Sequence, residues 1–160
     1  MNSDQVVRQQ LCFLLDGGGA HMRFDEAVAD FPLEQINTRP PNVPYTFWHL
    51  LEHLRITQWD ILEFVRNPAH VSPTWPEGYW PAPSAQADPA QWQQTRDRFH
   101  ADLHQLRQLV EDVHTDLYSD LPHAAGYTIL REILLVADHN AYHIGELGIL
   151  RQIMGLWPSQ

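Results

Sequence analysis

The segment Asp138-His139-Asn140-Ala141-Tyr142-His143-Ile144-Gly145-Glu146-Leu147 decides how this chain is read. His139 and His143 stand four residues apart, so on a helix they share a face about one turn from each other. Val136, His139, His143, Leu147, Leu150 and Met154 recur at steps of three and four, the pattern of a seam that faces a core. Two imidazoles in an apolar seam each need a hydrogen-bond partner. A metal ion satisfies both at once. The segment therefore predicts a core helix from about 128 to 154, with Thr128 as N-cap, and a candidate metal site upon it.

Outward from this helix, three more long helical segments follow from spacing and caps. One begins near Thr46 and ends about Arg66, before Pro68, with Phe47, Leu50, Leu54, Ile61 and Val65 as its apolar stripe. It carries a second pair of histidines four apart, His49 and His53. Another opens on Asp88 as N-cap, Pro89 at N1 and Gln91 at N3, and is expected to reach about Leu117. Its apolar face is Trp92, Phe99, Leu103, Leu106 and Val110, while His100, His104 and His114 read as solvated. The first helix spans about 4 to 16, with Ser3 as N-cap and Val7, Leu11 and Leu14 on one face, and Gly17, Gly18 and Gly19 stop it. A short helix is expected around Phe24 to Asp30.

No segment alternates with period two, so almost no sheet is expected. Four amphipathic helices in one domain spanning 1–160 must bury their stripes against each other, which makes the fold class all-α, a four-helix bundle. The connection from Asn67 to Ala87 holds Pro68, Pro73, Pro76, Pro81 and Pro83 together with Trp75, Tyr79 and Trp80. It is too long for a plain loop. Its WPEGYW stretch is expected to pack over the bundle as a structural lid, with a substrate-binding lid as the alternative.

Composition excludes several classes of function. The 160 residues carry a formal net charge of -10, and all ten Lys-plus-Arg positions are Arg. With no clustered Arg stripe, that charge disfavours nucleic acid and anionic membranes. Cys12 is the sole cysteine, so no intrachain disulfide can form, and it reads as a small core residue. The stretch MNSDQVVRQQ has an acid and no apolar run, unlike a signal peptide. The longest apolar stretch, near Ile129 to Ala137, is broken by Arg131 and Glu132, unlike a membrane span. A cytoplasmic protein is expected.

The chemistry rests on the histidines, ten in all. Three imidazole ligands with an open position match a catalytic zinc arrangement, in which bound water becomes a usable nucleophile. Imidazole also suits nickel, iron and copper, so the residues leave the ion open. The HExxH, P-loop, GxGxxG and GxSxG signatures are absent, and Asn140 after His139 excludes a zincin motif. No residue stands out as general base. Glu146, three beyond His143, could orient a ligand through its second nitrogen or reach the metal's water, and Asp138 directly precedes His139. Tyr142 and Trp59 are candidate pocket aromatics, with plain core packing as the alternative. Gly145 and Gly148 would permit close helix approach at a cost of about 1 kcal/mol each relative to Ala. Asp60, seven residues after His53, is expected to face solvent or an ion-pair partner.

FWHLLEHLRITQWDIL (47–62) paired with DHNAYHIGELGILRQ (138–152) resembles the DinB-like superfamily, also called YfiT-like metal-dependent hydrolases. Its marks are a His in an "lleHl" context on the second helix and HxxxHxGxL on the last. The resemblance implies ligands His53, His139 and His143, with His49 an extra neighbour and possible further ligand. It also implies a four-helix bundle of up-down-down-up connectivity, with a long crossover between the second and third helices, and a homodimer. The cofactor expected is a divalent transition metal, zinc or nickel first, and the substrate a small molecule. Relatives include mycothiol-dependent isomerases and bacillithiol or glutathione transferases, so thiol transfer stands beside hydrolysis as the expected reaction. A non-catalytic, stress-related metal-binding module is the reading from another class. A plain bundle with hydrogen-bonded core histidines is the third.

Overall fold

The computed structural model describes residues 2–157. In chain order it contains α1 (Ser3–Asp16), α2 (Phe24–Val28), α3 (Phe47–Arg66), α4 (Pro89–Glu111), a hairpin of β1 (Asp120–Leu121) and β2 (Ala124–Thr128), and α5 (Ile129–Met154). Single 3-10 turns lie at Leu33–Gln35 and Glu77–Tyr79. The fold is all-α apart from the short antiparallel hairpin. Each of α1 and α3 packs against both α4 and α5, and α2 packs on α5. Among the described residues no helix is long and apolar enough to cross a membrane.

Helix starts follow their caps. Asp88 Oδ1 accepts from Gln91 N at 2.7 Å and Gln91 returns the bond to Asp88 N at 2.9 Å, with Pro89 inside the first turn. Thr128 caps α5 and Thr46 caps α3. At α1 the cap is Asn2 rather than Ser3. Its Oδ1 accepts from Gln5 N at 2.8 Å and Gln5 reciprocates, a capping box set one residue earlier than expected.

Three other expectations shift. α4 ends at Glu111, short of Leu117, because its last carbonyls are captured from outside. Arg8, 7% exposed, donates to the carbonyls of Val110, Asp112 and Thr115 at 2.7–2.9 Å, and the chain beyond turns rather than coiling on. Leu117 is nevertheless fully buried, packed from the loop. On α1 the inward face is Arg8, Leu11 and Leu15, and Leu14 points outward, because the inward side follows Arg8. Along α5 the buried centre runs through Val136, Asn140, Ile144 and Leu147, so His139 and His143 flank the seam, half-buried, instead of occupying its middle. Gly148 does permit close approach: a Cβ there would meet Met22 Cε at 2.9 Å, whereas Gly145 faces open space.

The core has two apolar clusters. One gathers Phe24, Phe31, Phe47, Leu50, Leu51, Leu54, Trp92, Phe99, Ile144 and Leu147, and the other Leu11, Leu15, Ile61, Leu62, Leu106, Val110, Leu117, Ile133 and Val136. Between them in sequence, on α3 and α5, lies a buried polar bridge. Asn140 Nδ2 donates to Gln58 Oε1 at 2.9 Å, and Gln58 Nε2 donates to the Phe99 carbonyl at 2.7 Å. Each of these groups would be costly if left unpaired. Arg151, 1% exposed, closes the far end by donating to the carbonyls of Ala27, Ala29 and Leu156.

Replacing Arg8 removes the donor to the carbonyls of Val110 and Thr115 and leaves Asp112 only its bond from Thr115 N. Arg8→Ala is expected to lower unfolding free energy by about 2–3 kcal/mol, read as a drop in the urea midpoint at constant m-value. A loss within 0.5 kcal/mol would mean the α4 terminus is held by other contacts.

Candidate metal centre

His53 on α3 and His139 and His143 on α5 converge. Each offers one ring nitrogen, all within 4.8 Å of one another. His53 Nε2 lies 3.2 Å from His143 Nε2 and 3.2 Å from His139 Nε2. His53 is buried and the other two are half-buried.

Proton bookkeeping shows what the arrangement asks for. His53 Nδ1 donates to the Tyr79 carbonyl at 2.8 Å, so a neutral His53 presents a bare Nε2. His143 Nδ1 donates to Glu146 Oε2 at 2.5 Å, which likewise places its proton on the outer nitrogen. One lone pair on His53 Nε2 thus faces two other ring nitrogens at hydrogen-bond range, and it can accept from only one. A cation satisfies all three. Zinc–nitrogen bonds of about 2.0–2.1 Å in tetrahedral coordination set ligand nitrogens about 3.3 Å apart, close to the two observed separations. The residues fit a divalent ion.

Burial and mutual proximity keep these rings uncharged. Burial, followed by repulsion from His143 and His53, pushes the His139 imidazole down to about 3. Burial also takes His53 down to about 4, with the Tyr79 carbonyl opposing the shift and His143 adding to it. Among the described residues His139 Nδ1 is buried without a hydrogen-bond partner, so of the three rings it is His139 that lacks an outer acceptor to orient it.

The 67–87 connection covers the centre. Trp80 lies flat on His53, centroids 4.0 Å apart and planes 3° from parallel, and stacks on Tyr45 from its other neighbours at 5.3 Å. Tyr142 is largely exposed and meets His143 edge-on at 4.9 Å. Tyr45, whose phenol burial and the Glu146 charge push up, completes an aromatic collar. Within WPEGYW, Trp75 points outward and Tyr79 and Trp80 point in.

Other expected residues fall elsewhere. His49 stands outside the cluster, with both nitrogens engaged. Nδ1 accepts from Thr46 N at 3.1 Å and contacts Thr46 Oγ1 at 2.8 Å, and Nε2 donates to the Ala82 carbonyl at 3.1 Å. It extends the α3 cap and pins the connection. Asp138 is exposed, and Trp59 is half-buried against His70 on another face of α3. Asp60, expected near solvent or in an ion pair, is 7% exposed and bonded to His70 and Tyr79. Cys12 is half-buried beside Glu111, with its thiol pushed up by burial, and is no ready nucleophile. Sequence reasoning missed Tyr45, Gln58 and Asn140. Polar residues at 58 and 140 interrupting apolar stripes were the available signal.

In metal-free protein the two depressed imidazoles have a worked sign. Unfolded, each takes a proton near pH 6.5; folded, His53 and His139 resist until about 4 and about 3. Between those values the unfolded chain binds more protons, so stability present above pH 6.5 is lost as pH falls towards 3–4. After chelator treatment the thermal midpoint should fall from pH 7 to 5, and the slope should flatten in the double variant His53→Gln/His139→Gln. Equal slopes would show that these rings do not drive the acid sensitivity.

The profile of the DinB superfamily matches residues 19–147, which include all three clustered histidines, α3, α4 and most of α5. No curated protein and no solved structure matches the chain significantly. With four-fifths of its length matched and the histidine cluster in place, the chain belongs to the DinB superfamily.

Proposed function

We propose that the chain is a metal-dependent enzyme whose single divalent ion, zinc or nickel, is held by Nε2 of His53, His139 and His143. The observation that carries this is the pair of 3.2 Å contacts converging on His53 Nε2, which protons cannot satisfy together. Such an ion supplies Lewis acidity and a coordination position left open for water or a thiol. The chain's own residues do the rest. The Tyr79 carbonyl and the Glu146 carboxylate hold protons on the outer nitrogens of His53 and His143, which keeps the inner nitrogens bare and the rings oriented. Trp80 shields one face of His53 from water. The Glu146 charge is felt by Tyr45, and the rim formed by Tyr45 and Tyr142 is where a small substrate would enter.

Hydrolysis and thiol transfer are the two reactions this centre supports, differing in the nucleophile admitted. A non-catalytic metal-binding module is the second reading, and the flat cover of Trp80 over His53 is what favours it. The packing of α1 and α3 each on both α4 and α5 supports a four-helix bundle, and we propose for it an up-down-down-up connectivity with the 67–87 segment as the long crossover. We further propose a homodimer built on α5. Its outward face presents Leu135, Tyr142, Ile149 and Ile153, all well exposed, with Gly145 near the middle and open space above it. A two-fold axis near Gly145 would bring this stripe onto its own copy, the self-complementary geometry of an isologous contact. A cytoplasmic location fits the composition.

Elemental analysis of tag-free protein, wild type beside His143→Ala, tests the centre. About one equivalent of a transition metal in the wild type, and far less in the variant, is expected from loss of one of three ligands. Absence of metal, with no uptake on titration, would remove the proposal. With metal bound, turnover of ester or amide panels only when a low-molecular-weight thiol is added would select transfer over hydrolysis. For the dimer, light scattering should show twice the chain mass, reduced to one chain in Ile149→Arg/Ile153→Arg.

A further inference from the structure

Asp60 is an unusual carboxylate for its position. It sits on α3 seven residues after His53, two helical turns along the same face and about 10 Å away. It is 7% exposed, and burying a carboxylate is costly unless hydrogen bonds replace its water. Both bonds come from the 67–87 connection rather than from the helices. Asp60 Oδ1 receives His70 Nε2 at 2.7 Å, and Asp60 Oδ2 receives the Tyr79 hydroxyl at 2.6 Å. His70 is itself held edge-on against Trp59 at 5.3 Å.

Tyr79 is attached at two points. Its phenol reaches back to Asp60, and its own carbonyl receives the His53 Nδ1 proton at 2.8 Å. The next residue, Trp80, lies flat on the His53 ring. The carboxylate therefore fixes the one stretch of main chain that chooses which nitrogen of His53 carries its proton and which way the ring faces. Burial and the Asp60 carboxylate push the Tyr79 phenol up to about 12, so it remains a donor across the neutral range. An apolar residue at position 60 could pack against the connection equally well but could not set its register.

We propose that Asp60 is a positioning residue for the histidine centre: through Tyr79 and His70 it clamps the 67–87 connection so that His53 is held with its proton on Nδ1 and a bare Nε2 turned inward. The proposal rests on the metal-binding reading for its consequence, and the clamp itself can be read without metal. Outer partners of this kind change metal affinity by about 10- to 100-fold when removed.

The test uses full-length protein in four forms: wild type, Tyr79→Phe, Asp60→Ala and Asp60→Asn. Nitrogen-15 chemical shifts of the imidazoles in metal-free protein report the His53 tautomer. Zinc competition with a chromogenic chelator reports affinity, and the visible spectrum of the cobalt-substituted protein reports ligand geometry. Wild type is expected to show the Nδ1-protonated form. Tyr79→Phe and Asp60→Ala are expected to mix the tautomers, raise the zinc Kd about 10- to 100-fold and shift the cobalt bands. Asp60→Asn, which still offers an oxygen to the Tyr79 phenol, should recover part of the affinity. Tyr79→Phe keeps the ring and its packing, so it carries the test even where Asp60→Ala folds poorly. Glu63→Gln removes a charge from another part of α3 and should change none of the three readouts. Wild type that binds zinc, with both clamp variants binding equally tightly and the His53 tautomer unmoved, overturns this proposal alone. Wild type that binds no metal overturns the metal-binding reading beneath it, and with it the effect on affinity.

Discussion

Three imidazole nitrogens from two helices meet at distances that a shared proton cannot satisfy, and much of the surrounding structure serves to hold them there. Neutral imidazole is cheap to bury only when both nitrogens are accounted for. In His53 and His143 the outer nitrogen is spent on a carbonyl or a carboxylate, which commits the inner one to the cluster. Desolvation drives the same result from the other side, because a charged ring at His53 or His139 would sit against its neighbours in a low-dielectric site. Hydrogen bonding and burial thus select the same protonation state, the one a metal ligand needs.

The helices supply rigidity where this centre requires it. The buried bridge of Asn140 to Gln58 to the Phe99 carbonyl ties α5, α3 and α4 together beside the histidines. Asn140 directly follows His139, and Gln58 lies five residues beyond His53, so any rotation or slide of α5 against α3 would break these bonds. Apolar packing on either side tolerates small slips at modest cost, whereas buried directional hydrogen bonds such as these penalise them strongly. The specificity of the helix pairing, and with it the separation of the histidines, is carried by this bridge more than by the leucines around it.

Much of this was legible in the sequence, and the limits have physical causes. The helix starts at Thr46, Asp88 and Thr128 are written in short-range cap chemistry, which acts over three residues and so survives without tertiary knowledge. The four-residue spacing of His139 and His143 placed both on one face for the same reason. The early end of α4 was not legible, because it depends on Arg8, more than a hundred residues away in sequence. The exact seam of α5 was shifted by one position, since an apolar count weighs Asn140 as polar when its partner Gln58 makes it an interior residue. His49 and His53 share their spacing with the α5 pair, and spacing alone could not separate them. What separates them is their partners: Thr46 and the Ala82 carbonyl take both nitrogens of His49, whereas the Tyr79 carbonyl takes only Nδ1 of His53 and leaves its Nε2 to the cluster.

That connection is where local and global constraints meet. Proline content keeps a long segment from forming helix and lowers the entropy lost on seating it. It is seated by polar and apolar contacts together: His49 to the Ala82 carbonyl, His53 to the Tyr79 carbonyl, Asp60 to His70 and Tyr79, Arg39 to the Pro83 carbonyl and Asn37 to Ala87, with Trp80, Ala85 and Ala87 packed into the core. Trp80 covers His53 as part of this segment, so the most buried of the three histidines depends for its cover on how the segment is seated. The bond that orients His53 and the ring that covers it thus belong to one stretch of chain.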